Sequence, residues 1–216
     1  MSMSDWYAGA VLSLMVGASV PPAAYAQAKS ALSFSCDGAT IEAEKAICSD
    51  QRLAQLDQRL KKLWNSYLDN FDDGQLLKTL RGDQAAWLSR RNACKSDGTC
   101  IGHAYADRYA LLTGKQPRRQ FAGVYQSPSG TMAVYPAKDG SYVVSIMTSD
   151  VSQGAWTCVV AGAGSSSGNS LIVRVGADSL AIFRDHGAMK IESNKPTWAV
   201  EQKNCGLNGS ISGPYR

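Results

Sequence analysis

Few residues of this chain have types and spacing that could do chemistry. Gly164-Ser165-Ser166-Ser167-Gly168 has the G-x-S-x-G form of a hydrolase nucleophile elbow. That chemistry needs a strand before the serine and a helix after it, so that the hydroxyl is lifted and backbone donors surround it. Leu171 to Val175 (LIVRV) follows with a strand pattern, so the segment reads as a Gly/Ser-rich hairpin loop. The two histidines, His103 and His186, fall in different halves, and neither has a sequence neighbour that would orient it as a general base. Asp72 and Asp73 precede Gly74 and read as a turn rather than an acid–base pair. No phosphate loop, dinucleotide fingerprint or zinc-protease motif occurs. The expectation is a protein without catalytic, cofactor-binding or metal-binding residues.

Composition narrows the class. The chain has 216 residues, 44% hydrophobic and 19% charged, with a net charge of +4. This is globular composition. The charge is small for a dedicated nucleic-acid binder, and Lys115, Arg118 and Arg119 account for most of it. The segment KQPRRQ at 115–120 therefore reads as a solvated basic linker.

The N-terminus has the features of an export signal. Ala8 to Val20 is uncharged and apolar, Pro21 and Pro22 interrupt it, and Ala24-Tyr25-Ala26 is a small-x-small cleavage site. Asp5 and the lack of Lys or Arg before the apolar run depart from the usual pattern. The run is too short to cross a bilayer, which takes about 20 residues. The signal is assigned to residues 1–26, with a periplasmic or secreted product that has no stable membrane span.

The character of the chain changes near residue 115. Upstream, a short helix is expected from Ile41 to Ile47, capped by Thr40. Asp50 caps a longer one carrying Leu53, Leu56, Leu60, Leu63 and Tyr67 at helical spacing. A third runs from about Gln75 to Cys94. After the polar turn KSDGT, a fourth carries Ile101, Tyr105, Tyr109 and Leu112 and stops at Gly114. Downstream, eight strands are expected: Phe121–Gln126, Thr131–Tyr135, Tyr142–Thr148, Ala155–Ala161, Leu171–Val175, Ser179–Phe183, Met189–Glu192 and Thr197–Glu201. The fold class is α+β: a disulfide-bonded helical bundle (34–114), the linker (115–120), and a small antiparallel β-barrel or sandwich (121–216).

Six cysteines in an exported chain argue for disulfides. Cys94 and Cys100 flank a short turn and can close it. Cys36 and Cys48 become partners if the chain folds back. Cys158 and Cys205 alone lie in the β half and should pair there.

The helical half carries a more specific pattern. C-x(11)-C is followed by Leu53, Leu56-Asp57 and Tyr67, then by Gln84-x-x-Trp87-Leu88-x-x-Arg91-x-x-Cys94, Cys100, Tyr105 and Arg108, with Glu44 upstream. Gln84, Trp87, Leu88 and Arg91 share one helix face. Over about residues 34 to 113 this resembles the N-terminal helical domain of the LprI lysozyme-inhibitor family of exported bacterial proteins. The resemblance implies an inhibitor of lysozyme or a related peptidoglycan hydrolase, with that enzyme as partner and no nucleic acid. The motif residues Glu44, Asp57, Gln84, Trp87 and Arg91 also read as structural: Trp87, Leu56 and Ile47 as core, Asp57–Arg91 and Glu44–Arg108 as interhelical ion pairs. A non-inhibitory envelope-binding or assembly module, and an immunity protein against a wall-degrading toxin, fit the same architecture.

In the β half, Ser129-Gly130-Thr131-Met132-Ala133-Val134-Tyr135 is similar to the S-G-x(n)-Y loop of small barrel-type C-type lysozyme inhibitors. A protruding loop with a hydroxyl and backbone donors could satisfy the two carboxyl groups of a glycosidase cleft. Ser129, Gly130 and Tyr135 are the candidate target-binding loop, with an ordinary hairpin turn as the alternative. Tyr142, Trp156 and Trp198 read as barrel packing.

Overall fold

The computed structural model describes residues 32–72, 74–150, 152 and 154–216. The proposed signal segment and Asp73 therefore lie outside the described residues. Four helices come first: α1 (Glu42–Ser49), α2 (Gln51–Leu68), α3 (Gly74–Asn92) and α4 (Gly98–Leu112). Asp50 caps α2 by accepting from the Arg52 and Leu53 amides, and Asp97 caps α4 in the same way. Helix α1 differs from expectation. Its cap position is Ile41, one residue after Thr40, and no side chain satisfies its first amides. Glu42 and Glu44 in the first turn offset part of that loss, because acidic groups favour the positive end of the helix dipole. Gly114, at φ +66°, stops α4, since a residue with Cβ would be strained there and would meet the Ala122 carbonyl at 2.6 Å.

The β half is one antiparallel meander of eight strands in sequence order: β1 (Gly123–Ser127), β2 (Gly130–Pro136), β3 (Tyr142–Ser149), β4 (Thr157–Ser167), β5 (Ser170–Val175), β6 (Asp178–Asp185), β7 (Ala188–Ile191) and β8 (Gly213–Tyr215). Reciprocal backbone bonds between Gln126 and Arg216, at 2.7 and 2.8 Å, join β1 to the chain end after β8 and bring the sheet close to a closed barrel. Alternating residues such as Val134, Val144, Ile146, Val160, Val173 and Ile182 fill its interior.

Two sequence expectations fail here. Thr197–Glu201 is not a strand but part of a helix, α5 (Lys195–Asn204). Asn194 accepts from the Thr197 amide and Pro196 sits in the first turn, a combination that starts helices rather than strands. The eighth strand is instead Gly213–Tyr215, three residues that include a proline. The Gly164–Gly168 segment also differs: residues up to Ser167 extend β4, and only the turn at Gly168 is loop. No helix follows to build a nucleophile elbow.

All three expected disulfides form: Cys36–Cys48, Cys94–Cys100 and Cys158–Cys205. The segment 115–120 is not a free linker. The Ala122 amide donates to the Arg119 carbonyl at 3.0 Å, and the Arg119 and Gln120 side chains reach the Ser141 and Gly168 carbonyls at 3.3 Å.

Strands β2 and β3 are buried on both faces. Their outward residues Ala133, Tyr135 and Val143 join the core of the helical half. The Tyr67 hydroxyl, on α2, lies 2.7 Å from the Leu112 carbonyl and 3.0 Å from that of Val134.

Candidate functional site: the charged helical core and its cleft

Three charged side chains of the described residues are fully buried, and all stand on apolar stripes of helices: Asp57, Arg91 and Arg108. Asp57 alternates with Leu53, Leu60 and Tyr67 on α2. Arg91 follows Leu80 and Trp87 on α3, and Arg108 lies between Tyr105 and Leu112 on α4. A charge in such a position must be paired and hydrogen-bonded.

Arg91 and Asp57 meet as the sequence suggested, with a tyrosine between them. Their closest approach is 3.9 Å. The Tyr105 hydroxyl accepts from Arg91 at 3.0 Å and donates to Asp57 at 2.8 Å. Ser33 completes Asp57 with its amide at 2.6 Å and its hydroxyl at 2.7 Å. Burial drives the Tyr105 pKa well above its ordinary value, and the neighbouring Asp57 charge adds to that. Arg91 also bonds the Asn92 carbonyl oxygen of its side chain, and lies over the rings of Phe34, Trp87 and Tyr105 at 5.8–5.9 Å.

The expected Glu44–Arg108 pair does not form. Glu44 faces Arg91, at 3.6 Å. Arg108 is held instead by Asp83, Gln84 and Tyr135, each at 2.9 Å. The reason is reach across the two halves: Tyr135 on β2 brings its hydroxyl within 2.5 Å of Asp83, building a second polar cluster at the junction. Burial alone would raise the Asp83 pKa. The hydrogen bonds from Tyr135 and Arg108, with the charges of Arg108 and Lys138, outweigh it and hold the carboxyl below its ordinary range.

Asp83 and Tyr135 were not foreseen in this role. An arginine on the Ile101–Tyr105–Leu112 stripe signals that a buried acid must exist. Nothing local says that its phenol partner comes from a strand 27 residues later.

The five motif residues Glu44, Asp57, Gln84, Trp87 and Arg91 all line one cleft of about 300 Å³ between α1, α2, α3 and the segment at Ser33–Phe34. Trp87, Asp57 and Arg91 are its nearly inaccessible floor, whereas Glu44 and Gln84 are partly exposed.

The proposed target-binding loop is not one unit. Tyr135 is 1% exposed, at the far end of β2 and bonded to Asp83 and Arg108, so it cannot touch a partner. Gly130 already belongs to β2. A Cβ there would lie 1.9 Å from the Met147 carbonyl oxygen, so strand pairing explains this glycine without a ligand. Only Ser129 remains at the tip, with its hydroxyl 3.3 Å from that of Ser127. Of the three aromatics assigned to barrel packing, Tyr142 is buried and Trp156 packs against the core, but Trp198 stands on α5 and is 52% exposed. His103 and His186 are exposed, and neither belongs to the hydrogen bonds of the two clusters.

The motif and the cysteine framework around this cleft carry a family signature. Residues 36–119 match the family of the lysozyme inhibitor LprI. The match covers α1 to α4, the bridges Cys36–Cys48 and Cys94–Cys100 and both polar clusters except Ser33 and Tyr135, and it ends before the barrel. No curated protein and no solved structure matches the chain. Among the described residues, no helix is long and apolar enough to cross a membrane.

Proposed function

We propose that the protein is an exported, non-enzymatic inhibitor of lysozyme or a related peptidoglycan hydrolase. The observation that carries this reading is the LprI match over the whole LprI-type helical unit, including every motif residue of the cleft. The disulfides support export, because such bonds persist in oxidising compartments. An inhibitor of this kind needs no nucleophile. It needs a rigid surface that occupies the enzyme and excludes substrate, and disulfides with buried charge clusters give rigidity. The family match lies in the helical unit, so that unit carries the proposed contact.

The test is a cell-wall turbidity assay with purified mature protein and lysozymes of several classes. Saturable, stoichiometric inhibition of at least one class is expected. Full lysis at a large molar excess of the protein, in every class, would overturn the proposal and favour a non-inhibitory envelope module. A pull-down from envelope extract would then name its partner.

A further inference from the structure

The cleft between α1, α2 and α3 has the composition of a binding site for a small neutral sugar. Two partly exposed aromatic side chains, Trp64 and Phe34, line it above the buried Trp87. The Trp87 indole N–H is given to the Ala104 carbonyl at 3.2 Å and its ring is covered by Arg91 and Arg108, so this residue serves as floor and Trp64 as the stacking surface. Gln84 uses its carbonyl oxygen on Arg108 at 2.9 Å, which leaves its NH2 group to the cleft. Glu44, with 19% of its side chain exposed, lies 3.6 Å from Arg91, beyond hydrogen-bond range, and retains acceptor capacity. Asn65 stands exposed at the rim.

Charge selects among ligands. The lining carries Glu44 and Asp57 against Lys61 and Arg91, and so is balanced. Asp57 is satisfied by Ser33 and Tyr105, and Lys61 by the Leu32 carbonyl at 2.7 Å. A cation would meet Arg91 behind Glu44, and an anion would meet Glu44 itself. A ligand without charge, with one apolar face for the rings and hydroxyl or amide groups for Glu44, Gln84 and Asn65, suits what remains. A pyranose has that form. At about 300 Å³ the cleft stands at the small end of ligand sites.

We propose that this cleft binds a neutral saccharide. The proposal goes beyond the function proposed above and does not depend on it. The probes are triacetylchitotriose and maltotriose, neutral sugars with and without N-acetyl arms, with arginine ethyl ester as a cationic control. The readout is the tryptophan side-chain N–H signals in a nitrogen–proton correlation spectrum of the full mature chain, without any lysozyme present. At least one sugar should shift the Trp64 signal saturably at millimolar concentration. Asn65→Ala, an exposed change that leaves melting unaltered, should weaken that sugar severalfold. Trp64→Ala should weaken it about tenfold or more, read on the Trp87 signal. The proposal is overturned if neither sugar gives a saturable shift, if both variants bind like the parent, or if only the cation binds. Because the assay contains no enzyme, its failure and the failure of the inhibition assay are read separately.

Discussion

The two halves of this molecule reach specificity by different means. In the barrel half, the buried side chains among the described residues are aliphatic, aromatic or sulfur-containing apart from Ser145 and Thr148, with Thr197 on α5, and none carries a charge. Its register follows from alternation, because a one-residue slip would turn the whole inner row outward. In the helical unit, the cores of α2, α3 and α4 each hold a charged residue. An apolar stripe tolerates rotation and sliding of a helix. A guanidinium that must reach one phenol and one carboxylate does not. The helical unit thus trades some stability for a defined arrangement, and two of these groups, Asp57 and Arg91, lie in the floor of its cleft.

The largest expected effect of breaking that contrast is at Arg91. Arg91→Ala leaves Asp57 buried without its charge partner and should cost about 3–5 kcal/mol, read as a fall in the midpoint of chemical unfolding. A loss below about 1 kcal/mol, the scale of an ordinary surface change, would show that the cluster is not needed for the fold. In the barrel the comparable loss comes from covalent closure. Cys158 and Cys205 lie 47 residues apart. Replacing both by Ser should cost about 3–4 kcal/mol on the chain-entropy account, with the helical disulfides intact by peptide mapping.

A smaller effect probes the junction. Tyr135→Phe removes the hydroxyl from Asp83 and Arg108 and should cost about 1–3 kcal/mol. We propose that residues 34–114 and 121–216 are separate units coupled through this contact. On that reading, the variant should melt in two steps where the parent melts in one. A single transition in both would mean that the halves form one cooperative unit.

The same cluster gives a pH dependence. The Asp83 carboxyl is held below its ordinary value of 3.8 in the folded state. Its contribution to stability is therefore complete above that value, and is lost as pH falls below it through the folded pKa. Parent protein should lose stability more steeply below pH 4 than Asp83→Asn, which lacks this titration; parallel curves would remove Asp83 from the account.

The smallest effect is expected at Ser129→Glu, at the partly exposed tip of the β1–β2 hairpin. Stability should change by no more than about 0.5 kcal/mol, and inhibition should stay within about twofold if the helical unit makes the contact. A large loss of inhibition with an unchanged melting curve would move the contact to the hairpin tip.

Much of this molecule was determined locally. Helices α2 and α4 follow from the caps Asp50 and Asp97, and all of α2 to α4 from apolar residues at three- and four-residue spacing. Seven of the eight strands follow from alternation between turn residues, and each disulfide joins cysteines that share a half. The presence of charges on core stripes was legible too, at Asp57, Arg91 and Arg108. Their partners were not. Glu44 faces Arg91 rather than Arg108, and Tyr135 leaves its apparent loop to serve Arg108 and Asp83. Hydrogen-bonding capacity is a property of a residue, but which partner answers it depends on where separate elements dock. Helix α5 and strand β8 show the same division. Asn194 and Pro196 announced the helix, whereas three residues around Pro214 become a strand only because β7 and the barrel edge are there to pair with them.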